Sequence, residues 1–135
     1  MLHRKTFHVS LLSLFLLLTL LLTACQASSL RIGFVQRASD KRMSLRYQTF
    51  TAIEEQQETL EAGDTLVLAY DVVVTKGALT IAILDPEGTA VWDTTLREDG
   101  SNRVRIPITV GGVYTVRFRG DDTGGRTELS WEIER

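Results

Sequence analysis

The sequence predicts an all-β protein that folds as a single antiparallel β-sandwich behind a removable N-terminal signal. Three observations predict this fold. Apolar and polar residues alternate from Met43 onward, turn-forming residues separate the alternating runs, and the one long apolar run lies ahead of Cys25. Alternation with a period of two is typical of strands that are half buried in a sheet. A chain of 135 residues suits one such domain plus a short additional segment.

Residues 1–24 have the three parts of a secretory signal peptide. A basic start with Arg4 and Lys5 precedes a leucine-rich run at 9–22, and small residues follow that run. This order is typical of exported proteins. The apolar run is shorter than the roughly 20 residues that a membrane-spanning helix needs. We therefore favour removal of residues 1–24 on export over the alternative, an uncleaved anchor.

The residues Leu22-Thr23-Ala24-Cys25, directly after the apolar run, resemble the lipobox of bacterial lipoproteins. The resemblance implies cleavage between Ala24 and Cys25, a diacylglyceryl thioether on Cys25, and a palmitate-type acyl group on the new N-terminus. Cys25 is the only cysteine in the chain, and lipidation explains an odd cysteine in an exported protein. We expect a lipid-anchored protein on the extracytoplasmic face of the cell membrane or of an outer membrane.

Loss of the signal removes most catalytic chemistry from the mature chain. Both histidines, His3 and His8, leave with the signal, and lipid blocks the thiol of Cys25. Catalysis by Ser-His-Asp or Cys-His groups and the standard zinc sites then lack their essential residues. A carboxylate pair such as Glu54 and Glu58 is the one glycosidase-like alternative. We predict no enzyme, no catalytic residue, no cofactor and no metal.

Residues 25–42 are predicted to form the lipidated N-terminus and a basic linker, ahead of a domain at 43–135. Residues 26–46 carry five basic side chains and one acidic one, whereas residues 47–135 carry eight basic and sixteen acidic ones. The five are Arg31, Arg37, Lys41, Arg42 and Arg46. Such a segment is either a solvated linker or a strip that lies on anionic headgroups, at ~1 kcal/mol per basic residue. The acidic remainder predicts no nucleic-acid partner.

The linker also has some strand character at residues 30–35. It could be an added edge strand or an extended tether. A tether over residues 26–42 would reach about 55 Å at ~3.3 Å per residue. We favour the tether.

Five alternating rows predict the strands of the domain, and no convincing amphipathic helix follows the signal. The rows take every second residue of 66–74, 79–83, 104–110, 114–118 and 129–133. Turn-forming residues separate them, among them Lys76-Gly77 and residues 121–125. Pro107 cannot donate to a ladder, so the third row is predicted to lie at a sheet edge.

Two stretches resemble GOLD-type β-sandwich domains. They are Gly-Ala-Leu-Thr-Ile-Ala-Ile at 77–83, with Asp-Pro-Glu-Gly at 85–88 and Val-Trp at 91–92, and the closing Gly-Val-Tyr-Thr-Val-Arg-Phe at 112–118. The resemblance covers residues 47–133 and implies a GOLD-like or jelly-roll-like sandwich with a general role in protein contacts. The chain lacks the cysteine pair, coiled coil and membrane span of the GOLD cargo adaptors, so their trafficking role is not implied.

Candidate binding residues are few. The acidic turn residues Asp85, Glu87, Asp121 and Asp122, together with Asp99, are oxygen ligands of the type that Ca²⁺ prefers, although solvated turns are the favoured interpretation. Trp92 is the aromatic residue most available for stacking on a glycan. The other large aromatics, Tyr70, Tyr114 and Trp131, fall on apolar rows and are predicted to pack in the core.

Two functions from different classes follow from these patterns. The favoured one is a membrane-tethered, non-catalytic interaction module, with the membrane bound through Cys25 and an unknown envelope protein as partner. The alternative is a module of the cell envelope that binds a glycan or calcium.

Overall fold

The computed structural model describes residues 29–135, and every regular element in this range is a β-strand. The strands are β1 (Leu30–Ile32), β2 (Val35–Ser39), β3 (Arg42–Thr51), β4 (Ile53–Leu60), β5 (Thr65–Leu84), β6 (Ala90–Leu96), β7 (Gly100–Pro107) and β8 (Gly112–Glu134). The prediction of an all-β chain is confirmed. Within the same residues no helix is long and apolar enough to cross a membrane. The signal peptide, the Ala24-Cys25 cleavage site and the lipidated Cys25 lie outside the described residues.

All eight strands belong to one antiparallel sheet. Its order is β1-β3-β8-β5-β6, with β2 also beside β3, β4 beside β8 and β7 beside β5. The two central strands, β5 and β8, are 20 and 23 residues long. They pair with each other along most of that length, whereas each shorter strand pairs with one part of a neighbour.

The sheet divides across its middle into two parts. Half-sheet A contains β4, β6, residues 112–121 of β8 and residues 78–84 of β5. Half-sheet B contains β1, β2, β3, β7, residues 123–134 of β8 and residues 65–74 of β5. The two halves share the long strands and are therefore one continuous surface that is folded over.

Side chains that project from the two halves meet in one core, which makes the folded sheet a two-layer sandwich. The rings of Tyr70 in half-sheet B and Trp92 in half-sheet A lie 6.2 Å apart between centroids. The indole N–H of Trp131 in half-sheet B donates to the Glu58 carboxylate in half-sheet A at 2.9 Å. These contacts hold the two inner faces together.

Bulges and glycines allow the long strands to bend. The β5–β8 register shifts on both sides of Lys76, beside Gly77 with φ of 68°. A Cβ on Gly77 would collide with the carbonyl oxygen of Asp122, and one on Gly125 would collide with that of Val73. Bulges bend and twist a strand without ending it. The prediction that Lys76-Gly77 and residues 121–125 separate strands is therefore wrong, because both segments are bends inside continuous strands.

The core confirms the predicted rows with one exception and adds a row. The largest fully buried side chains are Trp131, Phe50, Phe118, Met43, Leu45, Leu60, Leu66, Leu68, Leu79, Ile81, Ile83 and Leu129. Val110 is 62% exposed, because it lies beyond the end of β7. The added row is the inner face of β3. Each fully buried Leu, Ile, Phe or Met side chain contributes about 1.5–3 kcal/mol to the stability of the fold relative to an exposed one.

The edge position predicted from Pro107 is confirmed. β7 pairs with β5 alone, and Pro107 stands opposite Thr65 at the end of the ladder. The missing N–H of proline therefore leaves no interior bond of the sheet unmade.

The tether interpretation of residues 30–39 is wrong, and the alternative of an added edge strand is what the structure has. These residues form β1 and β2, which pair with β3 over most of its length. Phe34 stacks on the core ring of Phe50, with centroids 5.3 Å apart and planes 13° apart. Arg31 forms an ion pair with Glu54. Pairing satisfies backbone groups of β3 that would otherwise form an open edge.

Candidate functional site

The acidic turn residues predicted as ligands do not converge. The Asp85 carboxylate accepts the backbone N–H groups of Glu87 and Thr89 at 3.0 and 2.8 Å, so it holds its own turn. Asp122 pairs with Lys76 at 3.1 Å. Across residues 29–135, no group of three or more His, Cys, Asp or Glu side chains could hold a metal ion.

The remaining acidic candidates are also apart from one another. Asp99 accepts the backbone N–H of Val74 at 2.9 Å, beside the bend of β5. Asp121 lines a shallow depression with Ile53 and Arg119 at the corner where the chain enters the domain. Asp85 stabilises its own turn and Asp99 bonds to the bend of β5, and the structure does not bring the acidic candidates together in one site.

The aromatic side chains serve the core. Tyr70, Tyr114 and Trp131 are buried, as predicted. Trp92 is half-buried against Tyr70, and the Tyr114 hydroxyl donates to the carbonyl of Val110 at 2.7 Å. Within residues 29–135 no aromatic side chain is exposed. The described surface therefore offers no aromatic platform on which a neutral sugar could stack.

The outer face of half-sheet B gathers charged side chains in rows. Residues that lie directly opposite in antiparallel strands present their side chains on the same side of the sheet. The strand register therefore defines which side chains are neighbours on this face. Two adjacent rows are Arg37–Ser44–Glu128–Asp71 and Val35–Arg46–Arg126–Val73.

Four arginines on this face form what we call the arginine cluster: Arg37, Arg42, Arg46 and Arg126. All four are exposed, and none forms an ion pair with another residue of 29–135. Arg46 and Arg126 stand directly opposite each other on β3 and β8. Like charges in this position destabilise a sheet. A bound anion would relieve that repulsion.

The opposite side of the same face is neutralised. Arg103 pairs with Glu132 at 3.1 Å, and Arg105 pairs with Glu134. Hydrogen bonding from Arg105 holds the pKa of the Glu134 carboxyl below its ordinary value. Both pairs reach across β5, where Val67 points outward and is nevertheless only 2% exposed. The excess positive charge is therefore confined to the β2–β3 side.

Two shallow depressions lie among the arginines and share Glu128 as a common wall. One has a volume of about 450 Å³ and the other about 350 Å³. Their outward-facing lining residues are Val35, Arg37, Ser44, Arg46 and Glu128 in the first, and Arg42, Ala69, Asp71, Glu128 and Ser130 in the second. We call the two depressions together the arginine trough. Its short Ser44, Ala69 and Ser130 side chains make it shallowly concave.

The trough combines two kinds of polar group. Each guanidinium presents donors in a planar fork that fits a carboxylate or phosphate. The Ser44 hydroxyl donates to the Glu128 carboxylate at 2.7 Å and fixes its position. A fixed carboxylate keeps lone pairs that can accept hydrogen bonds from hydroxyl groups. The trough therefore suits a ligand that carries both hydroxyls and negative charge.

Sequence reasoning found part of the trough and missed its assembly. Arg37, Arg42 and Arg46 belong to the basic segment already noted, although that segment is not a linker. Alternation places Arg42 and Arg46 on the row opposite the buried row of β3, and this signal is available in the sequence. Arg126 and Glu128 are about 80 residues away, and only the β3–β8 pairing brings them beside the others.

Comparison with known proteins leaves the chain without a family. No protein-family model and no curated protein matches the sequence. A solved structure described as CBM4 has a TM-score of 0.49 at 12% identity, covering 76% of this chain and 78% of its own. A carbohydrate binding module from Cellvibrio mixtus lichenase 5A, in complex with cellotriose, has 0.46 at 10% identity, covering 81% and 90%.

A third structure, of accessory secretory protein 1, 2 and 3 in Streptococcus pneumoniae, has a TM-score of 0.43 at 12% identity and covers 81% of this chain and 91% of its own. Similarities of this strength assign neither a family nor a ligand to the chain. Its function has to be inferred from its own residues.

Proposed function

We propose that this chain is a non-catalytic binding module of the cell envelope that recognises a glycan through the arginine trough. The observation that carries the proposal is a shallow concave surface lined by Arg37, Arg42 and Arg46, a fixed carboxylate and two serines, with Arg126 opposite Arg46 beside it. None of the four arginines forms an ion pair within residues 29–135. Sugars are recognised through hydrogen bonds to their hydroxyl groups, which these side chains can donate and accept.

The lipobox-like residues 22–25 support the location. A lipid on Cys25 would hold the domain on the extracytoplasmic face of a membrane, where two or more acyl chains give durable anchoring. Glycans of the envelope are within reach of a domain placed there.

The surface favours a glycan over the envelope protein expected from the sequence. The centres of protein–protein interfaces are enriched in aromatic residues, methionine and arginine and depleted of Glu, Asp, Ser and Ala. The trough has the arginines, but its outward-facing lining also includes Glu128, Asp71 and two serines and no aromatic residue. The two partly buried aromatics, Phe34 and Trp92, pack against the core. The proposal therefore takes up the glycan alternative. It does not include calcium, for which no clustered ligands are present in residues 29–135.

A steric block tests the site without changing its charge. Ala69 points outward at the β5 end of the trough, so Ala69→Trp should place a large side chain over the depression there, and tryptophan is well tolerated in strands. The matched control is Thr115→Trp, on the outer face of half-sheet A. The measurement is retention of the full chain, in detergent micelles, on an array of acidic and neutral polysaccharides.

We expect the wild type and Thr115→Trp to be retained on the same polysaccharides and Ala69→Trp to lose at least tenfold in affinity. Unfolding curves of all three proteins show whether the variants are folded. Equal retention of both variants would rule out the trough as the site. Retention of no protein on any polysaccharide would rule out the proposed function.

A further inference from the structure

We infer that the ligand of the arginine trough is an acidic saccharide, whose carboxylate or phosphate group lies between Arg46 and Arg126. This inference rests on the proposed function and names its ligand class. The two arginines are the only directly opposed pair of like charges in the β3–β8 register. Their placement is unfavourable for the empty protein and favourable for a protein that binds an anion.

Within its own row this pair has no opposite charge, and the nearby carboxylates Glu128 and Asp71 stand in the next row. Arg46 and Arg126 are flanked in their row by Val35 and Val73, so no carboxylate stands directly beside either arginine. Directly opposite residues have Cβ atoms about 4.5–5.5 Å apart. Two guanidinium groups at that spacing can share one anion, since each offers several N–H donors in a plane.

The neighbouring row provides contacts for the rest of a sugar. Arg37 lies one row away from Arg46 on β2, and Glu128 lies one row away from Arg126 on β8. Glu128 keeps acceptor capacity after its bond to Ser44. A saccharide with its anion on the arginine pair would therefore place hydroxyl groups over a carboxylate and a serine.

The shape favours a soluble saccharide over a charged membrane surface. The cationic groups surround two shallow depressions that share Glu128 as a wall, with Asp71 at the β5 end. A flat anionic bilayer would meet only the rim, and both carboxylates would be repelled by it. A narrow chain can enter the trough with its anionic group on the arginines and its hydroxyl groups on the carboxylates. From β2 to β5 the trough spans three strand spacings, or about 14 Å, which accommodates a short oligosaccharide.

Single-charge variants test the ligand class. We would titrate the full chain in neutral detergent with oligogalacturonate, with a phosphorylated mannan and with a neutral cello-oligosaccharide. The variants are Arg46→Gln and Arg126→Gln, and Arg97→Gln is the control, an exposed arginine outside the trough and without an ion pair in residues 29–135. A charge-assisted hydrogen bond corresponds to about tenfold or more in affinity.

We expect one or both acidic saccharides to bind, with affinity that falls as salt is raised. Each trough variant should weaken binding about tenfold, and Arg97→Gln should leave it unchanged. The melting temperatures of Arg46→Gln and Arg126→Gln should equal or exceed that of the wild type, because each removes a like-charge contact. If an arginine served only to stabilise the fold, its replacement by Gln would instead lower the melting temperature.

Three results would overturn the inference. Equal binding of the neutral and acidic saccharides, weakened by Ala69→Trp but not by Arg46→Gln or Arg126→Gln, would contradict the acidic ligand and leave the proposed function standing. Binding to no saccharide would contradict both. Binding to vesicles of phosphatidylcholine and phosphatidylglycerol but to no saccharide, lost in Arg46→Gln, would assign the cluster to the membrane surface instead.

Discussion

At the scale of single residues, the core contains a hydrogen-bonded pair of hydroxyl groups. The Tyr47 hydroxyl and the Thr127 hydroxyl lie 2.9 Å apart inside the sandwich. Burial raises the pKa of Tyr47 above its ordinary value, and the hydrogen bond with Thr127 acts in the other direction. The alternation of β3 predicts that position 47 faces inward, but it cannot predict a partner 80 residues away.

Tyr47 should make the protein sensitive to alkaline pH. Because its pKa is higher in the folded state, its neutral form contributes fully to stability below the unfolded value of ~10 and loses this contribution as pH rises through the folded value. Tyr47→Phe should cost about 1 kcal/mol at neutral pH through the lost hydrogen bond. It should also remove part of the decline in stability at alkaline pH. Urea unfolding of both proteins from neutral pH to above pH ~10 measures this, and parallel pH profiles would contradict it.

At the scale of elements, the alternation of apolar and polar residues identifies the strand segments but not which of them join into one long strand. Residues 66–74 and 79–83 look like two strands because Lys76-Gly77 has turn chemistry. The structure keeps both runs in β5, since both continue to pair with β8 across the bend. Local sequence specifies the kink at Gly77 and does not specify whether the chain reverses there. The chain continues as one strand because both parts of β5 pair with β8, which is distant in the sequence.

The bends predict unequal costs for two glycine substitutions. Gly125→Ala should destabilise the protein by about 2–4 kcal/mol, because the new Cβ would collide with the Val73 backbone in the middle of the sheet. Gly88→Ala is the matched control, with φ of 84° and no atom within 4 Å of the added Cβ. It should cost only about 1–2 kcal/mol for its left-handed backbone. Urea unfolding of both variants measures the difference. Equal costs would mean that the close approach at Gly125 is not required.

At the scale of the whole molecule, the pairing of β1 with β3 shortens the chain segment between Cys25 and the folded domain. With β1 starting at Leu30, five residue steps separate Cys25 from the folded domain, a reach of about 17 Å. The tether interpretation allowed about 55 Å. A lipid on Cys25 would thus hold the sandwich close to the membrane, with the exposed side chains of Leu30 and Ile32 nearest to the anchor.

This proximity can be measured with a fluorescent label. A Ser29→Cys variant labelled at residue 29 in vesicles should be strongly quenched by headgroup-quencher lipids, because the label cannot leave the surface. A flexible glycine-serine insertion after Gln26 should reduce the quenching. Weak quenching without the insertion, or quenching that the insertion does not change, would contradict a close anchor.

The candidate site also depends on the whole molecule. The sequence shows Arg37, Arg42 and Arg46 as a basic run, and alternation indicates the outward side of β3. The trough forms only when β8 brings Arg126 and Glu128 beside them, and strand order is not encoded locally. For the same reason the acidic turns, which are conspicuous in the sequence, proved to be separate in space.

The most direct test of the central claim is an amide chemical-shift titration of the full chain in micelles with oligogalacturonate. We expect the largest shifts on β2, β3 and the C-terminal part of β8, at Arg37, Ser44, Arg46, Arg126 and Glu128. Shifts that cluster on the outer face of half-sheet A, or no shifts at concentrations that saturate binding, would contradict that claim.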